Sequence, residues 1–335
     1  MNHNDPSHYE YPSAIQKRVD ELLQLNPPLT ARDDLQSFWQ TTLDTFKAKP
    51  LKGQREQRPS PQPYIDTYRV TYEGFDDTSI HGWYLIPKFA RQDHQAKLPC
   101  VVIYQGYSGG SGYPEAYSQW LLMGIAVFAV DVRGQGGETG NQLPQSFGMT
   151  KGWITQGILD KDTSYYKAIT IDSLKAVDWV SEQPEIDSTR IAITGGSQGG
   201  GLVLITAALS DKPAAAIANI PNMCHMDHGL LHSTGSLTEA AAFIAQFPDK
   251  LNQVLETLSY FDMLNMAHQI KIPIMISVGL KDTVCLPETI FPVYNRIRSE
   301  KHLHTYPFTG HNVVAGHNRL MLNFIEEKLL NDTNH

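Results

Sequence analysis

The chain is poor in cysteine, has no long apolar run and carries no excess of positive charge. Only Cys100, Cys224 and Cys285 occur in its 335 residues, far apart and with no CxxC pair. An odd number of isolated thiols excludes a disulfide framework of the kind that holds small secreted domains together. The longest apolar stretch, Trp120 to Val130, is far short of the roughly 20 residues that a membrane span requires. The opening residues Met-Asn-His-Asn-Asp-Pro are polar, without a basic segment ahead of an apolar one. No signal peptide is therefore expected, and the cytoplasm is the expected location. The 35 acidic and 27 basic residues leave a net charge of −8. Nucleic acid and anionic membranes both reward a basic face, so neither is expected as a partner. A GK[ST] phosphate loop, a dinucleotide fingerprint, an HExxH zinc pattern, internal repeats and low-complexity tracts are also missing.

What the chain does hold is core-forming material: 41% apolar and 10% aromatic residues, enough to exclude a disordered chain. Residues 1 to about 50 read as a polar helical extension. Ile15, Val19, Leu22 and Leu23 recur at helical spacing before Pro27-Pro28, and Asp33-Asp34 precede a second periodic run with Leu35, Phe38, Trp39 and Leu43. Lys49 to Pro63, rich in Pro, Gln and Arg, reads as a connector. From Tyr64 onward, Tyr68–Tyr72 and His81–Ile86 alternate as half-buried strands. Short continuous apolar runs follow at Cys100–Tyr104, Ile125–Val130, Ile191–Thr194, Ala215–Ala218 and Ile274–Val278. Such runs suit strands buried on both faces, and helical patterns such as Ile171, Leu174, Val177 and Val180 lie between them. The alternation predicts an α/β fold with a mostly parallel sheet. Residues 221–268 interrupt the rhythm and predict a helical insertion.

The most specific motif is Gly195-Gly-Ser197-Gln-Gly199, placed between a predicted strand and a predicted helix. This is the strand–turn–helix setting in which a Gly-x-Ser-x-Gly serine becomes a nucleophile. Small residues are needed there because the turn is sharp, and the helix N-terminus aims N–H groups at a developing oxyanion. A serine needs a base oriented by an acid, in the chain order Ser, Asp or Glu, His. Asp282 follows the strand Ile274–Val278, at the carboxyl end where catalytic groups collect. His311 follows Thr305 to Gly310 and precedes the last helix, which makes it the expected base. His317, six residues on, is expected in or near that helix and solvated; His302 and His304 are expected to be structural residues of the last strand. The oxyanion donors are expected to be the backbone amide of Gln198 and that of Tyr107, the latter in the loop Gln105-Gly-Tyr-Ser-Gly-Gly110. Cys224, His225, Asp227, His228 and His232 have helical spacing that could suit zinc, but they lack a familiar second ligand pair, so no metal site is expected.

With these residues in place the chain resembles the acetyl xylan esterase and cephalosporin-C deacetylase family, carbohydrate esterase family seven. The resemblance runs from Asp34-Leu-Gln-Ser-Phe-Trp39 to the final helix. It is carried by Tyr104–Gly110, Asp131-Val-Arg133-Gly-Gln135-Gly136, Gly157–Asp160, Gly195–Gly200, Leu258–Asp262 and Ser277–Asp282. It implies an α/β-hydrolase fold over 1–335, with the extension and insertion above. It also implies Ser197, Asp282 and His311 as the triad, the amides of Tyr107 and Gln198 as the oxyanion hole, and Arg133 and Gln135 as loop-holding residues. The expected activity is removal of acetyl groups from xylo-oligosaccharides and sugar acetates, with cephalosporin C as a further substrate, without a cofactor. A homohexamer built as a trimer of dimers is implied as well. The chain departs from the family at Asn312, where a Glu is usual. The alternatives are a broader short-chain carboxylesterase or a peptidase of the same fold, and a non-catalytic binding scaffold.

Overall fold

The computed structural model describes residues 13–91, 97–148 and 152–331. The first twelve residues of the expected extension lie outside this range. A nine-stranded mixed sheet forms the centre, in the order β1-β2-β3-β5-β4-β6-β7-β8-β9. The strands are β1 (Gln54–Arg58), β2 (Ile65–Glu73), β3 (Ser79–Pro87), β4 (Leu98–Tyr104), β5 (Ala126–Val130), β6 (Ile186–Gly196), β7 (Ala215–Asn219), β8 (Ile274–Gly279) and β9 (Lys301–Tyr306). Pairings from β1 through β3 to β5 are antiparallel, and those from β5 through β4 to β9 are parallel.

The continuous apolar runs explain the layering. Val102 and Phe128 face one core with the helices α4 (Tyr165–Ser181) and α5 (Gln198–Leu209), whereas Val101 and Val127 face a second core with α3 (Ser118–Leu122) and α10 (Ala315–Ile325). Successive side chains of one strand thus enter opposite cores, which is why these strands are apolar throughout instead of alternating.

The expected extension forms α1 (Ala14–Leu23) and α2 (Leu35–Lys47), and the expected insertion forms α6 (Met226–His232), α7 (Leu237–Gln246) and α8 (Leu251–Ser259) before β8; α9 (Pro287–Arg296) follows β8. The extension is docked far along the chain. Trp39 Nε1 donates to the Tyr260 carbonyl at 2.9 Å, Asn265 Nδ2 to Thr30 Oγ1 at 3.0 Å, and Arg18 pairs with Glu288 at the start of α9.

Two expectations need correction. The stretch Lys49–Pro63 contains β1, an outer strand paired antiparallel with β2, with Gln54 opposite Thr71. Four of its five residues are exposed. An outer strand with polar side chains on both faces carries no alternating signal, and that composition also blunts the open edge. His317 is the second: it lies within α10 but is 0% exposed instead of solvated, because it stands on the face of α10 that packs against the sheet. The last strand runs from Lys301 to Tyr306 and takes in both His302 and His304, as expected.

Candidate active site

The parallel registers align the carboxyl ends of five strands. Tyr104 pairs with Gly195, Gly196 with Asn219, Asn219 with Ser277, and Gly279 with Tyr306. The segments that leave this edge carry Tyr107, Ser197, Asp282 and His311. Distant parts of the sequence therefore converge at one rim of the sheet, as open α/β sheets dictate.

Ser197 occupies the turn between β6 and α5 with φ +57° and ψ −119°. A non-glycine residue in that region is strained and persists only where its surroundings hold it. Here the backbone does so. The Ser197 N–H donates to the Asn219 carbonyl at 2.9 Å, and the Ser197 carbonyl accepts from Gly201 N at 3.0 Å and Asn222 N at 2.9 Å. The turn is also tight enough to require glycine at 199, where a Cβ would lie 2.3 Å from the Tyr104 carbonyl oxygen.

Asp282 follows β8, and its side chain is 0% exposed. Its Oδ1 accepts the amides of Val284 at 2.8 Å and Cys285 at 3.0 Å. That leaves Oδ2 for His311 Nδ1 at 2.8 Å, and His311 Nε2 lies 3.0 Å from Ser197 Oγ. The three side chains expected from the sequence thus form one hydrogen-bonded line. The loop that presents His311 passes close behind β8: a Cβ on Gly279 would stand 2.5 Å from the carbonyl oxygens of Thr309 and Gly310. Asn312 is exposed, with its N–H bonded to the Gly310 carbonyl at 2.9 Å.

Gln198 opens α5, so its N–H has no acceptor within the helix. The loop carrying Tyr107 runs beside the serine, since a Cβ on Gly106 would sit 4.0 Å from Ser197 Cβ. Gln135 ties these two parts together. Its Oε1 accepts Ser108 N–H at 2.7 Å, and its Nε2 donates to Gln198 Oε1 at 2.9 Å and Tyr165 Oη at 2.8 Å. Arg133, 0% exposed, grips Asp172 through Nε at 2.6 Å and Nη2 at 2.9 Å, and reaches Asp76 at 3.1 Å. Its carbonyl accepts Tyr165 Oη at 2.7 Å. Both residues thus brace loops at the sheet rim.

Three features of this region escaped the sequence reading. Tyr107 Oη donates to Glu239 Oε2 at 2.6 Å and accepts Trp153 N–H at 3.1 Å, so a carboxylate from α7 fixes the expected oxyanion loop. Burial, reinforced by Glu239, pushes the Tyr107 phenol up and keeps it a donor. Cys285 Sγ lies 4.0 Å from Ser197 Oγ, and burial followed by the Asp282 charge raises its thiol far above the ordinary range. It is therefore a neutral, apolar neighbour of the serine. The third is Asn219, whose carbonyl anchors the serine turn. Of these only Asn219 had a sequence signal, its place at a strand's carboxyl end. Among the described residues no group of three or more His, Cys, Asp or Glu is arranged to hold a metal ion; His225 stacks on His228, and the His232 ring meets that of His228 at a tilt of 45°.

A comparison with known families decides the affiliation, since the acetyl xylan esterase (AXE1) description matches residues 14–328. The chain belongs to the acetyl xylan esterase family. Its structure superposes on an acetyl xylan esterase from Paenibacillus sp. R4 with a TM-score of 0.89 at 38% identity, covering 93% of this chain and 99% of that one. Acetyl xylan esterase 1 from Thermoanaerobacterium sp. JW/SL YS485 gives a TM-score of 0.86 at 27% identity, with 95% and 99% covered. Among curated proteins, acetyl esterase Axe7A of Xylanibacter ruminicola is 26% identical over 298 residues, which is 86% of this chain and 65% of that relative. The chain therefore spans just under two thirds of that relative's length.

Proposed function

We propose that the protein is a serine esterase that removes acetyl groups from acetylated carbohydrates. The observation that carries this reading is the line Ser197–His311–Asp282, with contacts of 3.0 and 2.8 Å, in a chain of the acetyl xylan esterase family. In this reading Asp282 holds the imidazole with Nδ1–H toward itself and leaves Nε2 free to take the Ser197 proton. Ser197 Oγ then attacks the acetyl carbonyl, and the amides of Gln198 and Tyr107 receive the oxyanion. Collapse breaks the ester bond while His311 returns its proton to the departing sugar alcohol. Water, activated by the same imidazole, adds to the acetyl-serine, and its collapse releases acetate and restores the hydroxyl. Side chains, two amides and water carry every step.

Short acyl groups fit this reading because Cys285 stands 4.0 Å from the serine oxygen. An open pocket would gain about 0.8 kcal/mol per added methylene. Forcing methylenes into packed surroundings costs about 1–3 kcal/mol, which outweighs that gain. In a p-nitrophenyl ester series, kcat/KM should fall from acetyl to butyryl and be slight at octanoyl. Activity that rises from two carbons to eight would reject the deacetylase reading. Acetylated xylo-oligosaccharides, simple sugar acetates and cephalosporin C, assayed side by side, then rank the candidate substrates.

Two finer points belong to the same proposal. A cytoplasmic site of action is supported by Cys100, Cys224 and Cys285, all buried and unpaired; among the described residues no helix is long and apolar enough to cross a membrane. A hexamer is proposed on the family affiliation alone, and light scattering should give six times 37.5 kDa.

A further inference from the structure

The proposed chemistry leaves a buried histidine without a task. His317 is 0% exposed. Its Nε2 is 2.8 Å from Asn219 Oδ1, and its Nδ1 is 2.8 Å from Tyr306 Oη. The two partners are strand ends that serve different parts of the site. Asn219 closes β7, and its carbonyl holds the Ser197 N–H at 2.9 Å. Its side-chain orientation is fixed independently, because Ser277 Oγ donates to the same Oδ1 at 3.0 Å and Nδ2 reaches Met321 Sδ at 3.1 Å. Tyr306 closes β9, five residues before His311. Its carbonyl accepts Thr309 N–H at 3.2 Å in the base loop and Leu280 N–H at 3.0 Å on the way to Asp282.

A continuous hydrogen-bonded path therefore runs from the serine turn through Asn219, His317 and Tyr306 to the loops that carry His311 and Asp282. Asn219 Oδ1 can only accept, so Nε2 carries the proton and Nδ1 accepts the Tyr306 hydroxyl. The neutral ring satisfies both contacts, and burial, with His304 beside it, lowers the pKa of His317 to about 4.

We propose that His317 is a positioning residue that fixes the serine turn relative to the base loop. The inference rests on the serine-esterase reading above. It gives the buried ring a role in the reaction through others: it touches no reacting atom, but it links Asn219, which holds the serine turn, to Tyr306, which holds the base loop. A misplacement of about 1 Å between reacting groups can cost about 10²-fold in rate.

The test measures kcat and KM for p-nitrophenyl acetate, with active sites titrated by a serine-reactive phosphonate so that rates refer to folded, competent enzyme. Loss of stability alone lowers the titratable fraction and leaves the rate per site unchanged. His317→Ala should lower kcat per titrated site by about 10- to 100-fold with KM within about twofold. His317→Gln can donate to Asn219 and accept from Tyr306, and should recover most of that loss. Tyr306→Phe keeps a ring and removes one link of the path; it should lower kcat per site by about three- to tenfold and keeps the test decisive if His317→Ala fails to fold. Wild-type kcat per titrated site in Tyr306→Phe, or equal losses in His317→Ala and His317→Gln, would overturn the assignment while the esterase reading stood. A wild-type protein that neither hydrolyses the ester nor takes the phosphonate would overturn both.

Discussion

The serine turn and the histidine loop meet at 3.0 Å but are built in opposite ways. Around Ser197 the restraints are backbone to backbone: two strands, one helix, and glycines where no Cβ fits. The His311 ring is oriented from Nδ1 by one side chain, the buried Asp282 carboxylate, and is itself 27% exposed in a loop whose neighbours Asn312 and Val313 face solvent. A strained nucleophile needs a rigid frame. In the proposed reaction a base that exchanges protons with serine, leaving group and water needs access and one oriented partner. The contrast teaches that one half of the site is specified by backbone bonds reaching no further along the chain than Asn222, and the other by side chains 29 and 114 positions away.

Changes to the chemistry should erase the contrast, because in the proposed reaction both halves act as one unit. Ser197→Ala should lower kcat by several orders of magnitude, and His311→Ala nearly as much, since losses within a triad do not add. Asp282→Asn should cost on the order of 10⁴-fold by favouring the wrong imidazole tautomer. Steady-state kinetics with phosphonate labelling checks all three, and labelling of another residue would remove Ser197 from its proposed role.

Changes in pH should act on the frame through the buried histidine. His317 has a folded pKa of about 4 against an ordinary 6.5, so below 6.5 the unfolded chain takes up a proton that the folded one refuses. The stability that its neutral burial supplies is complete above pH 6.5 and drains away as pH falls toward 4, by about 3 kcal/mol in all. Urea unfolding at several pH values should show the wild type losing this stability relative to His317→Gln over that window. Parallel curves for the two proteins would contradict it.

The backbone frame should be the more sensitive half to added volume. Gly199→Ala places a methyl 2.3 Å from the Tyr104 carbonyl oxygen and should destabilise by about 1–3 kcal/mol or more. Asn312→Ala in the exposed loop should change stability by less than about 0.5 kcal/mol. The smallest effect on activity concerns the loop beside the serine. Glu239→Gln weakens the charge-assisted bond to Tyr107 and should lower kcat by about threefold to tenfold, with Tyr107→Phe giving a similar loss and the double variant no further one. Additive losses would mean that the two residues act separately.

The same contrast explains what could be read from the sequence. The strands buried on both faces, the glycine-bounded serine and the acid and histidine after the last strands all leave local marks, and the three side chains expected from those marks lie together. β1 left none, because a polar outer strand has no apolar face to betray it. His317 was placed in the right helix but on the wrong side, since one position in a periodic pattern does not say which face meets the sheet. Glu239 carried no signal at all: its partner Tyr107 is 132 positions away, and only the packing of α7 brings it there.

The docking of the N-terminal helices has a consequence for how the chain is made. Phe38 and Trp39 lie against Tyr260 and Phe261, and α1 is held through Glu288 and Asn295. Those residues are synthesised more than 200 positions later. At ribosomal rates of roughly 5–20 residues per second, α2 must wait roughly 10–45 s before its partner surface exists. During that interval its aromatic face is open to chaperones and to other nascent chains, whereas β2 to β7 gather neighbours as they emerge. Helices α1 and α2, made before the residues they pack on, are thus among the last elements to reach their place.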